Sequence, residues 1–597
     1  MKKSVKIMAC ALCAAVLLSL CGCGLTGKAS GSAEGYGGEL VLRAVRDGDD
    51  FVLSVEKSKE TTGIGSLALR RLLDDMNERQ SLAPDVVSGA TETSHAAVEA
   101  ATKAVRSLGF DVGELASRVR FNEVADKEYS CDVLVIGAGG AGLTAAIAAA
   151  EKGEDVIVLE KMGVAGGSTA RSGGRIMAAG TSIQKDKLIS DTSSGLGSFL
   201  FGYAEDDADS TRVLDMAQHT AANLDLLTKY GVRFSGTLLP TYAGQQPERV
   251  HIIVGSSGTA GGGYLIEPLV RAAEAYGVTI LYETEATELL STAAFAVTGA
   301  RAKEAGGSIV TVHADATILA TGGYDRDASL FSSLAHADAA MAVSQTALGT
   351  TGDGIRLAEN VGGTVLSGAP IATLDDYYAQ TGGSFGLLVT PAGIRFCNEA
   401  GREFSVSGAL FRTGSAYAYL ITSDGGSGVK AAVSNGYAYE ADSVEALADA
   451  IHAPGLAATV SQYNELCAAG EDTRFGKDAK YLKAVEGRQY YAVPYLATVY
   501  GTTGGILTNI SCAVVNENGD AVDGLYAAGE LANGVYFDYE FPGFGASLAE
   551  TIETGRIAGE RAAVYVESVK TKQAQQKEED EALEEAPIEE AKYKSSY

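Results

Sequence analysis

The sequence predicts an α/β protein: a small α+β unit, then a parallel sheet wound with helices and interrupted by an inserted domain. Three observations predict it. From Cys131 onward, apolar strand runs alternate with segments of helical period. A glycine turn, Gly137-x-Gly139-x-x-Gly142, follows one such strand and opens a helix. Before it, residues 35–110 hold two strand-like stretches, Leu40–Val45 and Phe51–Val55, a Gly63-Ile64-Gly65 turn, and helical patterns at Ser66–Asn77 and Ser94–Leu108. A chain of 597 residues suffices for two or three domains with substantial cores.

The first 23 residues are a leader. Lys2, Lys3 and Lys6 precede an apolar run from Ile7 to Leu20 that is short for a spanning helix, and Leu20-Cys21-Gly22-Cys23 closes it. This end resembles a bacterial lipobox, which implies lipid on Cys23 and a body anchored at the extracytoplasmic face of the cell membrane. Cys21 is the second choice, since Leu20 is bulky where the signal peptidase cuts. An uncleaved signal anchor is the alternative. At roughly 0.8 kcal/mol per buried methylene, two acyl chains hold a protein on a membrane without a spanning helix. Residues 24–34 are small and polar and read as a flexible tether.

Composition narrows the function. Cys131, Cys397, Cys467 and Cys512 are scattered through the body, with no CxxC pair and no CxxCH haem site, so no metal is expected. A net charge of −29 argues against nucleic acid, whose phosphates call for clustered Lys and Arg. Part of that charge lies in an acidic tail, 566–597, that reads as disordered or as a frayed, solvated helix.

In the small unit, Asp85-Val86-Val87-Ser88-Gly89-Ala90-Thr91 precedes Glu92-Thr93-Ser94. One reading is that hydroxyls satisfy free N–H groups at the start of a helix Ala96–Leu108. Together with Gly35-Tyr36-Gly37-Gly38 and Thr61-Thr62-Gly63-Ile64-Gly65, however, the segment resembles the FMN-binding domain. That domain's Asp-x-x-Ser/Thr-Gly-Ala-Thr/Ser motif is flavinylated through a phosphoester to its last hydroxyl residue. The resemblance implies covalent FMN at Thr91 and a flavin transferase for maturation. A phosphate at a helix N-terminus meets unpaired N–H groups and the positive end of the dipole.

The larger unit opens with a buried-strand run Asp132–Ile136, the glycine turn, a helix Leu143–Lys152 and a second strand ending in Glu160, spaced to hold a ribose hydroxyl and to disfavour a 2′-phosphate. Later segments are Gly166-Gly167-Ser168-Thr169 with Ser172-Gly173-Gly174, Ala320-Thr321-Gly322-Gly323, Asp523–Glu530, and Gly555-Arg556-Ile557-Ala558-Gly559. These resemble the fumarate reductase and flavocytochrome c family. The resemblance implies a Rossmann-like FAD-binding domain with an inserted capping domain, and non-covalent FAD. Its cofactor set is Gly137, Gly139, Gly142, Glu160, Lys161, Gly167, Ser168, Thr169, Gly174, Thr321, Gly322, Gly323, Glu530, Gly545, Ser547 and Leu548. The boundaries read as 35–110 for the FMN-binding domain, 111–129 for a linker, 130–325 with 490–565 for the FAD-binding domain (205–315 less regular), and 326–489 for the cap.

The substrate pocket departs from the family. Arg395-Phe396-Cys397-Asn398-Glu399-Ala400-Gly401-Arg402 resembles the segment leading to the proton-donating arginine, which implies Arg402 as the acid. An arginine paired to Glu399 or Glu403 is the competing reading. Where fumarate reductases place a histidine before Thr-x-Gly-Gly, this chain has Tyr500; where they place an arginine before the glycines of the last helix, it has Phe541-Pro542-Gly543-Phe544-Gly545. The Glu-x-x-Arg relay is not recognisable in 380–386, and an upstream substrate histidine gives way to Tyr377 and Tyr378. Two carboxylates without cationic partners are costly to bury. Tyr377, Tyr378, Tyr500, Phe541 and Phe544, with Tyr536 or Tyr539, therefore either fill core or line a pocket for a larger, less charged substrate. Related 3-ketosteroid dehydrogenases use tyrosines around an enone, and urocanate reductases take an arylacrylate-like acid.

The expectation is an FAD-dependent reductase of an activated C=C bond. Electrons would run from a membrane donor or quinol-linked flavoprotein to FMN on Thr91, then to FAD and the β-carbon, with Arg402 protonating the α-carbon and Tyr500 polarising the carbonyl. A dehydrogenase running the reverse reaction and a flavin electron carrier are the alternatives.

Overall fold

The computed structural model describes residues 27–119, 125–202, 209–241, 246–293, 296–337, 342–375, 386–537 and 541–585. They divide into two compact units, 1–61 with 68–121, and 62–67 with 122–597. The expected leader, Cys23, Tyr377, Tyr378 and Tyr539 lie outside the described residues. No helix among the described residues is long and apolar enough to cross a membrane.

The first unit is an antiparallel sheet of β1 (Lys28–Gly35), β2 (Gly38–Asp47) and β3 (Asp50–Lys57). The chain continues through helices α1 (Gly65–Arg79), α2 (Thr91–Ser107) and α3 (Val112–Ser117). Alternation along β2 buries Leu40, Leu42 and Ala44, and α2 turns Ala96, Ala97, Ala100, Ala101 and Ala104 inward. Two expectations are corrected. Residues 28–34, read as tether, form β1, in register with β2 from Lys28↔Val45 to Gly35↔Gly38. They are small because α2 lies directly on them: a Cβ on Gly31 would stand 2.2 Å from the Ala100 carbonyl oxygen. Within 111–129, read as linker, Asp111 caps α3, accepting from the Gly113 and Glu114 N–H groups, and a strand begins at Lys127.

The second unit is built on an eight-stranded sheet. Strand β4 (Lys127–Ile136) pairs in parallel with Ile309–Leu319 on one side and β5 (Val156–Leu159) on the other, and β5 pairs in parallel with Thr279–Leu281. Ala521–Ala527 adds to Ile309–Leu319 in parallel, while Thr284–Ser291 and Val297–Glu304 extend the same sheet antiparallel. Strands buried on both faces carry unbroken apolar runs, as Val133–Ile136 and Val156–Leu159 do. Helix α4 (Gly140–Glu151) follows β4, and the less regular stretch 205–315 supplies three whole strands of this sheet and most of Ile309–Leu319.

A second sheet forms the cap, in the order Ala342–Ser344, Tyr490–Thr502, Tyr417–Thr422, Leu387–Val389, with Pro370–Asp375 and Tyr439–Ala441 also pairing to the long strand. Its alternation feeds two cores, Leu388, Leu420 and Val493 on one face and Leu387, Ile421 and Ala492 on the other. Two boundaries move. Tyr490–Thr502, read as FAD-domain sequence, is the central strand of the cap, and Ala347, Gly349, Thr350, Asp353 and Leu357, read as cap, line the cofactor cleft described below. The chain then forms one helix, Ala546–Glu585, so residues 566–585 of the acidic tail follow the helical one of its two expected readings. Lys570 anchors that stretch through Asp132 and Glu154, at 2.8 and 2.7 Å.

Candidate functional site

The β4–α4 turn opens a cleft of about 860 Å³ at the C-terminal ends of the parallel strands. Its three glycines serve three different needs. Gly137 has φ +106°, and a Cβ there would lie 2.4 Å from the Ala320 carbonyl oxygen. A Cβ on Gly139 would meet nothing, leaving the backbone open to the cleft; one on Gly142 would strike the Gly137 oxygen at 1.9 Å, so that glycine lets α4 seat against the turn. Gly139 caps α4 without a side-chain bond, Gly140 N donates to the Thr169 hydroxyl at 3.3 Å, and Gly139, Gly140 and Ala141 of this helix start line the cleft.

Ten predicted cofactor residues line this cleft: Gly137, Gly139, Glu160, Lys161, Gly167, Ser168, Thr169, Thr321, Gly322 and Glu530. Gly142, Gly174, Gly323, Gly545, Ser547 and Leu548 do not. Gly323 backs Glu530, whose Oε1 would lie 2.1 Å from an added Cβ, and the Gly545 carbonyl accepts from Met177 N at 2.9 Å. Residues missed from sequence are Ala347, Gly349, Thr350, Asp353, Leu357 and Thr551. The readable signal was Gly352-Asp353-Gly354, a glycine turn at the start of a helix whose Asp353 pairs with Lys161.

Glu160 Oε2 and Oε1 accept from Ala138 N and Met162 N, each at 2.8 Å, which fixes the carboxylate at the cleft wall. Thr321 lines the cleft, and its buried hydroxyl has no hydrogen-bond partner among the described residues. Glu530 Oε1 accepts from Thr502 N at 2.8 Å and from the Thr502 hydroxyl at 3.1 Å. Burial, then the nearby Asp325 charge, raises the Glu530 pKa to about 8; burial raises Glu550 to about 8 as well.

In the first unit, α2 starts at Thr91, earlier than expected. Ala90 is its N-cap and offers no side-chain bond. The hydroxyls expected to cap the helix bond elsewhere. Ser94 accepts from Val87 N at 3.1 Å and donates to Ala90 O at 2.9 Å, and Thr93 donates to Glu60 at 2.7 Å. Thr91 is exposed over a helix start with free N–H groups, an arrangement that fits a phosphoester. Glu60, 8% exposed with Oε1 unpartnered, was missed from sequence.

Arg402 is the N-cap of the helix Glu403–Phe411. Of the two carboxylates expected to compete for it, Glu399 takes Arg395 at 2.9 Å through both oxygens and Lys477 at 3.2 Å, and Glu403 is the first residue of the helix that Arg402 caps. Arg395 also reaches Asp472 at 2.7 Å and lies between the Tyr463 and Phe475 rings. Burial raises the Asp472 pKa, but Arg395 and backbone N–H groups outweigh it and hold it at about 2. Through Ser407, which donates to Ala372 O, the Arg402 helix rests on Pro370–Asp375, the strand paired with the one bearing Tyr500. Tyr500 is 46% exposed, its hydroxyl 3.4 Å from that of Thr373. Phe404 meets Phe541 and Phe544 edge to face, at 5.1 and 5.2 Å, and Phe537 meets Phe541 at 5.2 Å, so the two predicted aromatics form one wall just past Arg402. Tyr536 is buried and sits beside Phe537. No metal was expected. Among the described residues one group, Asp215, His219 and Glu553, brings three ligand atoms within 4.8 Å, but Glu553 already serves Asn223 and Arg556 at 2.7 and 2.8 Å.

Comparison with known proteins agrees with this geometry. The profile described as FAD binding domain matches residues 132–548, and the cytochrome-type fumarate reductase of Shewanella frigidimarina is 30% identical over 452 residues, 73% of this chain and 77% of that one. The chain belongs to the fumarate reductase family of FAD-dependent oxidoreductases. An FMN-binding domain profile matches residues 35–106 of this flavoprotein, and covalent attachment is typical of that family. Urocanate reductase of Eggerthella lenta is 29% identical to the flavoprotein over 567 residues, 89% of this chain and 92% of the relative. Among solved structures, 3-ketosteroid-Δ4-(5α)-dehydrogenase of Rhodococcus jostii superposes with a TM-score of 0.59 at 26% identity, covering 74% of this chain and 98% of that one.

Proposed function

We propose that this flavoprotein is an extracytoplasmic reductase of the C=C bond of an α,β-unsaturated carbonyl or carboxylate compound other than fumarate. In this reading it is lipid-anchored through Cys23 and carries covalent FMN on Thr91, placed there by a flavin transferase. A membrane donor supplies its electrons. One observation carries the choice of substrate. The cofactor cleft keeps its cradle, while the wall beyond Arg402 is built of Phe404, Phe541 and Phe544, so a small dianion would lose its water there with too few cations to replace it.

The flavins, when bound, would supply the redox chemistry of hydride transfer to an activated C=C bond. The protein supplies everything else. The α4 N-terminus, Glu160, Lys161 and Thr321 hold the cofactor; Arg402 delivers a proton to the α-carbon; the Tyr500 hydroxyl donates to the carbonyl as charge develops there. The aromatic wall keeps water from the reacting face. The likeness to a ketosteroid dehydrogenase favours a second reading, oxidation of a cyclic ketone to its enone.

The test is an anaerobic screen of enoates and enones, fumarate included, against dye-reduced holoenzyme, scored by product formation. Reduction of a non-fumarate compound with fumarate untouched is the expected result. Fumarate as the preferred substrate, or no C=C reduction at all, would overturn the proposal, and activity only with saturated ketones and an oxidised dye would select the second reading.

A further inference from the structure

Strand β6 (Arg175–Met177) follows α5 (Gly167–Arg171), whose first three residues line the cofactor cleft. Met177 N bonds the Gly545 carbonyl at 2.9 Å, which ties β6 to the loop carrying Phe541 and Phe544, just before the helix that sends Thr551 into the same cleft. Arg175 is exposed, and its guanidinium carbon lies 4.5 Å from the centroid of the Phe544 ring. Among the described residues no carboxylate pairs with it. The aromatic wall from Phe537 to Phe544 thus ends in a cation that lies over a ring and that no acid claims among the described residues.

We propose that Arg175 is the carboxylate anchor of the substrate, which is a monoacid whose unsaturated chain carries a flat apolar group lying along Phe404, Phe541 and Phe544. This rests on the reductase reading above. Contact with the Phe544 ring restrains the guanidinium beside the wall, and its planar fork of N–H donors is the group that meets a carboxylate with two parallel hydrogen bonds. One arginine matches one carboxylate, and the apolar wall takes a ring where a second carboxylate would find no partner. The feature lies in a strand after a glycine pair, Gly173-Gly174, with nothing in the sequence to distinguish Arg175 from a surface cation.

The test pairs (E)-cinnamate with (E)-cinnamamide, equal in shape and differing in charge, on dye-reduced wild type, Arg175→Ala and Arg175→Lys at matched FAD content. In Arg175→Ala, kcat/KM for cinnamate should fall about tenfold or more, through KM, with partial recovery in Arg175→Lys and little change for cinnamamide. An equal loss on both compounds, no loss on either, or a wild type that prefers the amide would overturn the anchor while leaving the reductase reading intact. If wild type reduces neither probe but does reduce other compounds of the screen, the substrate class named here is wrong. If nothing in the screen is reduced, the reductase reading falls as well.

Discussion

Arg402 and Tyr500 are the residues on which the proposed chemistry turns, and they predict different losses. A proton donor acts in the transition state, so Arg402→Ala should cut turnover about a hundredfold or more with FAD retained. Tyr500→Phe keeps the ring and removes one hydroxyl, costing about 0.5–1.5 kcal/mol for a neutral bond and more if charge develops on the carbonyl. Steady-state kinetics on the screen's best substrate checks both, and near-wild-type rates would remove these residues from the mechanism. Glu530 predicts a pH dependence. Its folded pKa, about 8, is above the ordinary 4.5, so its stabilising contribution is complete below about pH 4.5 and is lost as pH rises through 8. A shift of that size is worth at most about 5 kcal/mol. The FAD-free protein should therefore melt lower at pH 9 than at pH 5, and Glu530→Gln, a mimic of the neutral acid, should flatten that slope in thermal unfolding. Glu530 and Glu160 were legible because each follows a strand beside a glycine motif. Arg175 and Glu60 were not, since their roles come from a ring and a hydroxyl distant in sequence.

Among elements, the loop leading to Arg402 is held by four buried charges: Arg395, Glu399, Asp472 and Lys477. Breaking a buried pair by removing one partner costs about 3–5 kcal/mol, because the other charge is left uncompensated. Glu399→Gln should thus loosen the cap, read as faster proteolysis within 386–480, while the cleft still binds FAD. Unchanged proteolysis would show that the cluster does not brace the loop. The β4–α4–β5 element was legible because strand, glycine turn and helix are contiguous. The β1 strand was not, because Ser30, Gly31 and Ser32 look like linker until α2 is seen lying on them. For the same reason Tyr490–Thr502 was assigned to the FAD-binding segment, when its pairing with Pro370–Asp375 and Tyr417–Thr422, far away in the chain, makes it the spine of the cap.

For the whole molecule, the FMN-binding and FAD-binding domains are those of a flavin-dependent oxidoreductase, and the proposed function adds covalent loading at Thr91 and a lipid anchor at Cys23. The intact mass of protein taken from the membrane fraction should show a lipid on the N-terminal cysteine and one FMN less water, and Thr91→Ala should lose only the flavin. An unmodified wild-type mass, with a flavin transferase present, would remove both attachments. In the proposed reading, covalent loading serves the reduction of a substrate, and the aromatic wall of Phe404, Phe541 and Phe544 with Arg175 beside it favours an apolar monoacid over a dicarboxylate. The most direct measurement is anaerobic reoxidation of the dye-reduced holoenzyme, followed by the return of the visible flavin band after mixing with cinnamate or with fumarate. The account predicts prompt reoxidation by cinnamate and none by fumarate; reoxidation by fumarate alone would contradict it.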